Sequence, residues 1–198
     1  MGRLPGPPST QAAFGRPVLS VAADLLGRIN GPVSRAGRAS AGVLLAVMLA
    51  LAVTQIAMRG LLHVSLDWAE EMARFALVWS VLLTAPYAYR HGAYVAIVSL
   101  ALSLPPRLLV ICSLVLNALV VWILGVLLVE SIAFWERGLS LVAGSLPIKM
   151  AWIYAIVPVA LGALILVGLE LLLRLVLHLR GQPSGIVMEG AMPAVVET

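Results

Sequence analysis

One apolar segment of this chain begins with charged side chains that could form an ion pair or carry a proton. Glu70, Glu71 and Arg74 run into the apolar stretch 76–85 without a turn signal between them. Spacings of three and four residues put all three on one side of a helix, so the arginine can reach either carboxylate. A charge at membrane depth costs about 2.5–3.5 kcal/mol on insertion scales, so it is retained mainly where a partner neutralises it. The chemistry on offer is ion pairing, partner recognition or proton transfer.

Three interpretations of this charged opening stay open. Acidic residues in a first helical turn lie near the positive end of the helix dipole, so the segment can be a self-neutralised helix start. That account pairs Arg74 with one glutamate and leaves the other without a partner. A spare carboxylate at this depth indicates either a basic group on another protein or an ion or proton pathway. We favour docking to a partner.

No catalytic, cofactor-binding or metal-binding constellation is present elsewhere in the sequence. The chain has no nucleophile elbow, P-loop, HExxH motif or Gly-rich nucleotide turn, so we predict that it is not an enzyme. A b-type haem needs two imidazoles that face each other at matching depth. His63 falls at the outer end of the first apolar block, whereas His91 and His178 lie at or beyond the inner ends of their blocks, where we expect them to be solvated. Cys112 is the only cysteine and can form no internal disulfide.

The elements that must position these residues are membrane helices. The chain is 62% hydrophobic and 11% charged, against about 45–50% and about 25% in soluble domains. Crossing a bilayer takes about 20 apolar residues, and four blocks are long enough: about 40–62, 68–89, 106–129 and 148–173. Continuous blocks predict helices, because membrane barrels give short alternating segments. We therefore expect an all-α integral membrane protein with four transmembrane helices.

The segments on either side of this membrane domain, 39–180, have a different composition. Residues 1–16 are rich in Pro, Gly, Ser and Gln, which is typical of a disordered tail, and 181–198 are predicted to be a flexible tail. In 17–38 apolar residues recur at helical spacing opposite charged ones. Such a segment can lie in the membrane interface as an amphipathic helix, or remain a partly ordered tail.

Prolines and polar side chains inside the apolar blocks are predicted to shape and pack the helices. Pro158 removes a hydrogen bond to the carbonyl of Tyr154 and should kink the fourth span, and Pro86 is given the same role in the second. Thr54, Gln55 and Asn117 are expected to hydrogen-bond across helices, as polar groups at depth usually do.

Arginines near the block ends predict the topology. They cluster before the first span, around the second connection and after the fourth span: Arg28, Arg35, Arg38, Arg90, Arg107, Arg174 and Arg180. The positive-inside rule then places both termini and the second connection in the cytoplasm. Trp68, Trp135 and Trp152 would fall at the outer interface. The net charge of +4 suits anionic lipids, and we predict no nucleic-acid partner because the chain has no basic stripe on a soluble fold.

Three stretches share a pattern with a known family. The first is Trp68-x-Glu70-Glu71-x-x-Arg74-Phe75 with Trp79 after it, the second is the connection 89–95, and the third is Leu146-Pro147-Ile148 followed by Trp152, Tyr154 and Pro158. Together they resemble the small membrane subunit (Q subunit) of tripartite ATP-independent periplasmic (TRAP) transporters over about 38–180. Tyr94 stands where that family often has histidine, so no role of that histidine is carried over.

The resemblance implies a supporting role in transport across a bacterial inner membrane. In such systems a periplasmic substrate-binding protein captures an organic acid, and a large multi-helix membrane subunit carries it inward with sodium ions. The small subunit packs against the large one as its scaffold, among membrane lipids. Trp68, Glu70, Glu71, Arg74 and Trp79 are then the candidate partner interface.

Two rival functions come from other classes. One is a self-sufficient, proton-coupled transporter that works as a homodimer, with Glu70 or Glu71 as proton carrier. The other is an assembly protein of the membrane with no role in transport.

Overall fold

Long helices make up almost all of the structure, a computed structural model that describes residues 18–91 and 105–180. The helices are α1 (Val18–Leu61), α2 (Asp67–Arg90), α3 (Pro106–Gly138), the short α4 (Met150–Tyr154) and α5 (Ile156–Leu179). An isolated antiparallel bridge joins Val142 to Lys149 in the connection between α3 and α4. The predicted all-α fold is confirmed. The predicted tails 1–16 and 181–198, and Tyr94, lie outside the described residues.

Three stretches of the described chain are long and apolar enough to cross a membrane. They are Leu19–Leu61, Val110–Gly138 and Met150–Leu179, the last of which joins α4 and α5. The fourth long helix, α2, is not among them, because acidic and basic side chains occupy its first turns and a further arginine ends it. Three of the four predicted membrane-spanning helices are therefore supported by length and composition.

The first helix runs unbroken for 44 residues and includes the segment predicted as a separate interfacial helix, 17–38, from Val18 onwards. No turn signal separates the two parts, and Pro32 is accommodated inside the helix. Small or short polar residues form a buried seam along it at alternating spacings of seven and four: Ala23, Asn30, Ser34 and Ala41. Small side chains let helices approach closely, so the seam packs residues 18–38 onto the rest of the bundle.

The helices pack with α5 at the centre and α3 at the edge. α5 contacts α1, α2 and α3, and Val167, Leu175 and Leu177 on it are almost fully buried. α1 and α2 run antiparallel in the most extensive helix pair, where the backbone of Gly37 lies directly against the carbonyl of Leu83. This arrangement brings both ends of α2 next to α1, which creates two polar clusters.

Candidate functional site

The first cluster, here named the Glu70 cluster, consists of Gln55, Glu70 and Arg74. The guanidinium of Arg74 lies 3.3 Å from a carboxylate oxygen of Glu70, one helical turn earlier. The side-chain amide of Gln55 on α1 donates to the other carboxylate oxygen at 3.3 Å. Both charged side chains are exposed, Arg74 at 70% and Glu70 at 57%. Glu70 and Arg74 thus neutralise each other within α2, and both side chains remain accessible from outside the chain.

Glu71 does not take part in that pair. Its two carboxylate oxygens accept hydrogen bonds from the backbone N–H groups of Gly144 at 3.0 Å and Ser145 at 2.8 Å. These residues form the connection between α3 and α4, so Glu71 fixes that connection against α2. The expectation that one glutamate would be left for an ion or another protein is wrong for this carboxylate. Backbone amides that are distant in sequence satisfy it, and residue spacing gives no signal for them.

The two candidate tryptophans differ in their surroundings. Trp68 is 45% exposed at the start of α2. Trp79 is partly buried, and its indole N–H donates to the backbone carbonyl of Ile153 at 3.1 Å. This carbonyl belongs to α4, close to Ala155, the residue between α4 and α5. Of the five predicted interface residues, Trp68, Glu70 and Arg74 are accessible, whereas Glu71 and Trp79 make contacts inside the chain.

The two prolines predicted to shape helices occupy different settings. Pro158 lies in the first turn of α5, three residues after Ala155, the single residue between α4 and α5, whose backbone angles remain helical (φ −56°, ψ −26°). A proline there cannot donate to the carbonyl of Tyr154, which is where α4 ends. Pro86 is buried inside α2, and that helix continues past it to Arg90. The one-residue interruption between α4 and α5 therefore accompanies Pro158, whereas α2 is continuous at Pro86.

A second polar cluster, here named the Glu170 cluster, joins α1, α2 and α5 and was missed in the sequence. The carboxylate of Glu170 is 2% exposed. One of its oxygens contacts Arg174 at 2.8 Å and Arg90 at 3.2 Å, and the other accepts from the amide of Asn30 at 2.8 Å. The available signal was a glutamate within the predicted span 148–173, four residues before an arginine. It is the same pattern that singled out Glu70 and Arg74.

The polar residues expected to bond across helices give mixed results. The hydroxyl of Tyr89 on α2 donates to the side-chain oxygen of Asn117 on α3, and the amide of Asn117 donates to the carbonyl of Gly168 on α5 at 3.2 Å. Gln55 also reaches another helix, as described above. Thr54 instead bonds to the carbonyl of Ala50 in its own helix at 2.8 Å. Asn117 thus connects three helices in the same region as the Glu170 cluster.

The chemistry of these clusters is ion pairing and backbone capping. Within the described residues no group of three or more His, Cys, Asp or Glu side chains could hold a metal ion. His91 stacks on Tyr87 with ring centroids 4.0 Å apart, at the end of α2. The accessible ion pair of the Glu70 cluster is the feature best placed to meet another molecule.

Comparison with known proteins relates more than half of the chain to a protein family. The model of a family described as "Tripartite ATP-independent periplasmic transporters, DctQ component" matches residues 48–178. No curated protein matches the chain. No solved structure matches it either. The matched range includes all of α2, α3 and α4, the C-terminal part of α1 and nearly all of α5.

Proposed function

This chain belongs to the DctQ component family of tripartite ATP-independent periplasmic transporters, and we propose that it is the scaffold of the large membrane subunit in a sodium-coupled importer of organic acids. The family is a non-enzymatic one of small membrane components, which confirms the resemblance of the sequence and the prediction that the chain is not an enzyme. The chain is therefore a multi-pass membrane protein that partners with the other components of its transporter.

The scaffold role is supported by the hydrogen bonding of the buried polar side chains, which is almost entirely within the chain. The buried polar side chains of the described residues are Asn30, Ser34, Ser80, Ser131 and Glu170. Apart from Ser34, each hydrogen-bonds inside the chain. A transport path needs polar groups that can exchange partners, and these groups are committed to packing. The solute path is accordingly assigned to the large multi-helix subunit.

We assign α2 as the fourth membrane span. Glu70 and Arg90 are separated by about 30 Å along the helix axis, at about 1.5 Å per residue. That distance equals the thickness of a typical hydrocarbon core. The charged side chains of α2 would then lie at its two ends, near the Glu70 cluster and the Glu170 cluster. Packing against α1 and α5 supports this assignment, because it covers part of the surface of α2.

We assign the Glu170 end of the bundle to the cytoplasm of a bacterial inner membrane, with both termini on that side. Among the described residues arginines prevail at this end, where Arg28, Arg35, Arg38, Arg90, Arg174 and Arg180 outnumber the acidic residues Asp24 and Glu170. At the other end the basic residues Arg59, Arg74, Arg137 and Lys149 are matched by Asp67, Glu70, Glu71, Glu130 and Glu136. The positive-inside rule favours this orientation.

The Glu70 cluster, together with the neighbouring Trp68, is proposed as the surface that orients the chain against its partners. Trp68, Glu70 and Arg74 are exposed together at the end of α2 assigned to the periplasmic side. At this depth they can meet the large membrane subunit, the docked periplasmic substrate-binding protein or lipid headgroups. Because Glu70 and Arg74 neutralise each other, the ion pair can add directional polar contacts to an apolar interface without the burial of an unpaired charge.

Reversal of the charge at Arg74 tests this role. Arg74→Glu places a third acidic side chain beside Glu70 and Glu71, so we expect weaker assembly with the other components, while insertion into the membrane is retained. The matched control is the exchange Glu70→Arg with Arg74→Glu, which keeps the net charge and the pair. Assembly is measured as the amount of partner that co-purifies in mild detergent. Normal assembly and uptake with Arg74→Glu would contradict the proposal.

The family membership favours this subunit role over the rival transporter and assembly functions. In addition, Glu70 and Glu71 both have partners in the chain, an arginine and two backbone amides. A proton carrier must release and rebind its proton during each cycle. The rival therefore predicts pH-dependent transport by this chain alone in liposomes, and the scaffold role predicts none.

A further inference from the structure

We propose that Glu170 is a positioning residue that attaches the N-terminal part of α1, residues 18–47, to the membrane bundle. These residues precede the range matched by the family model, 48–178. Glu170 itself lies inside that range, so it joins the matched part of the chain to a segment that precedes the match. The attachment follows from contacts within this chain and is independent of the function proposed above.

The geometry makes Glu170 the point where three helices meet. Arg174 on the same helix contacts one carboxylate oxygen through two nitrogens, at 2.8 Å and 3.1 Å. Arg90 reaches that oxygen from the end of α2 at 3.2 Å. Asn30 on α1 donates to the other oxygen at 2.8 Å, and also to the carbonyl of Leu166 at 3.1 Å. One side chain thereby holds α1, α2 and α5 together.

Two glycines let α1 come close enough for these contacts. A Cβ atom on Gly27 would lie 2.6 Å from a guanidinium nitrogen of Arg174 and 2.9 Å from a carboxylate oxygen of Glu170. A Cβ on Gly31 would lie 2.9 Å from a nitrogen of Arg90. Arg90 also donates to the backbone carbonyl of Gly27 at 3.4 Å. The arginines therefore lie over bare helix backbone, and α1 provides part of the cluster's surface.

The charges of the cluster predict an asymmetry between its members. It contains one carboxylate and two guanidinium groups, which are 17% and 25% exposed. Removal of either arginine leaves a neutral ion pair in place. Removal of Glu170 takes away the anion that both guanidinium groups contact, and leaves two part-buried cations close to each other, where like charges repel and disfavour the packed arrangement. Loss of the carboxylate should therefore release α1, whereas loss of one arginine should not.

A cysteine at Ser34 reports on this attachment. Ser34 is 2% exposed in the seam of α1, and its hydroxyl has no hydrogen-bond partner among the described residues, so Ser34→Cys is a small change. Cys112 is exposed and is first replaced by serine. The rate of maleimide labelling is then measured on the full chain in detergent. Ala39→Cys, at an exposed position on the same helix, gives the rate for free access.

We expect slow labelling of Ser34→Cys in the otherwise unchanged chain and in Arg174→Ala. Glu170→Ala should label about tenfold faster, since α1 loses the hydrogen bond from Asn30 to a charged acceptor and the two guanidinium groups repel each other. Methionine at all three charged positions, Glu170, Arg90 and Arg174, should restore slow labelling, because an apolar replacement leaves no neighbouring like charges. Equal labelling rates in Glu170→Ala and Arg174→Ala would overturn the proposal.

A second reporter separates local release from general unfolding. Ala160 is 3% exposed near the start of α5, ten residues before Glu170, so Ala160→Cys should stay slow to label in Glu170→Ala if only α1 is released. Faster labelling at both reporters to the same extent would contradict the proposed attachment. Partner co-purification is followed in the same samples. Failure of the unchanged chain to bind a partner would refute the proposed function and leave the labelling result intact.

Discussion

The close contact between α1 and α2 gives the most quantitative prediction. Gly37 of α1 lies against the backbone of α2, so that an added Cβ would be 2.5 Å from the carbonyl oxygen of Leu83 and 3.4 Å from its carbonyl carbon. The obstacle is backbone, which cannot rotate away as a side chain does. Gly37→Ala must therefore push the two helices apart by about 1 Å to reach ordinary contact. Gly42, five residues later on the same helix, has nothing within 4 Å of its added Cβ.

The expected magnitudes follow from these two environments. Overpacking in a closely packed contact costs about 1–3 kcal/mol. Replacement of glycine by alanine in a helix interior stabilises the helix by up to about 1 kcal/mol, and this stabilisation applies equally to both sites. Gly37→Ala should therefore lower the free energy of unfolding or leave it almost unchanged, whereas Gly42→Ala should raise this free energy. The difference between the variants is about 1–3 kcal/mol, which corresponds to about 2–12 °C in Tm for a chain of this size.

Thermal unfolding in mild detergent, followed by far-UV circular dichroism, measures this difference. The two variants share the same mutation type, helix and detergent, so the choice of micelle affects both alike. We expect Gly42→Ala to unfold at the higher temperature. Equal Tm values for the two variants, or a higher Tm for Gly37→Ala, would refute the close antiparallel packing of α1 on α2.

Three further substitutions test individual contacts. Glu71→Ala should speed hydrogen exchange at the backbone amides of the α3–α4 connection, while Glu70→Ala should leave those amides protected; equal exchange in both would contradict the capping role. Trp79→Phe should lower stability by about 1 kcal/mol, because a carbonyl in α4 loses its donor, and an unchanged Tm would argue against this contact. His63 has a φ of 53° after α1, so His63→Gly should raise the unfolding midpoint by relieving backbone strain; a lower midpoint would contradict this strain.

Much of the fold follows from local signals in the sequence. Long apolar blocks predict the helices, and Pro105-Pro106 gives the start of α3, because a proline at the first helical position lacks only an N–H that would have no partner there. The Glu70–Arg74 pair follows from helical spacing alone. These features depend on residues within one or two turns of each other, which is why a sequence can reveal them.

The features that were missed depend on distant residues. Residues 17–38 have an amphipathic pattern, but the small residues of the seam, such as Ala23 and Ser34, are what pack this segment on the bundle. Glu71 is satisfied by amides more than seventy positions away. Glu170 is held by Asn30 across 140 positions. Such contacts are set by how the helices are arranged, and hydropathy and spacing contain no information about that arrangement.

Affinity purification of the chain from its native membranes in mild detergent tests the central claim most directly. The mass and composition of the purified particle show whether the chain is a subunit. We predict that a large polytopic membrane protein co-purifies in a fixed ratio with this chain. Recovery of the chain alone as a stable homodimer that transports a solute in liposomes by itself would contradict the account.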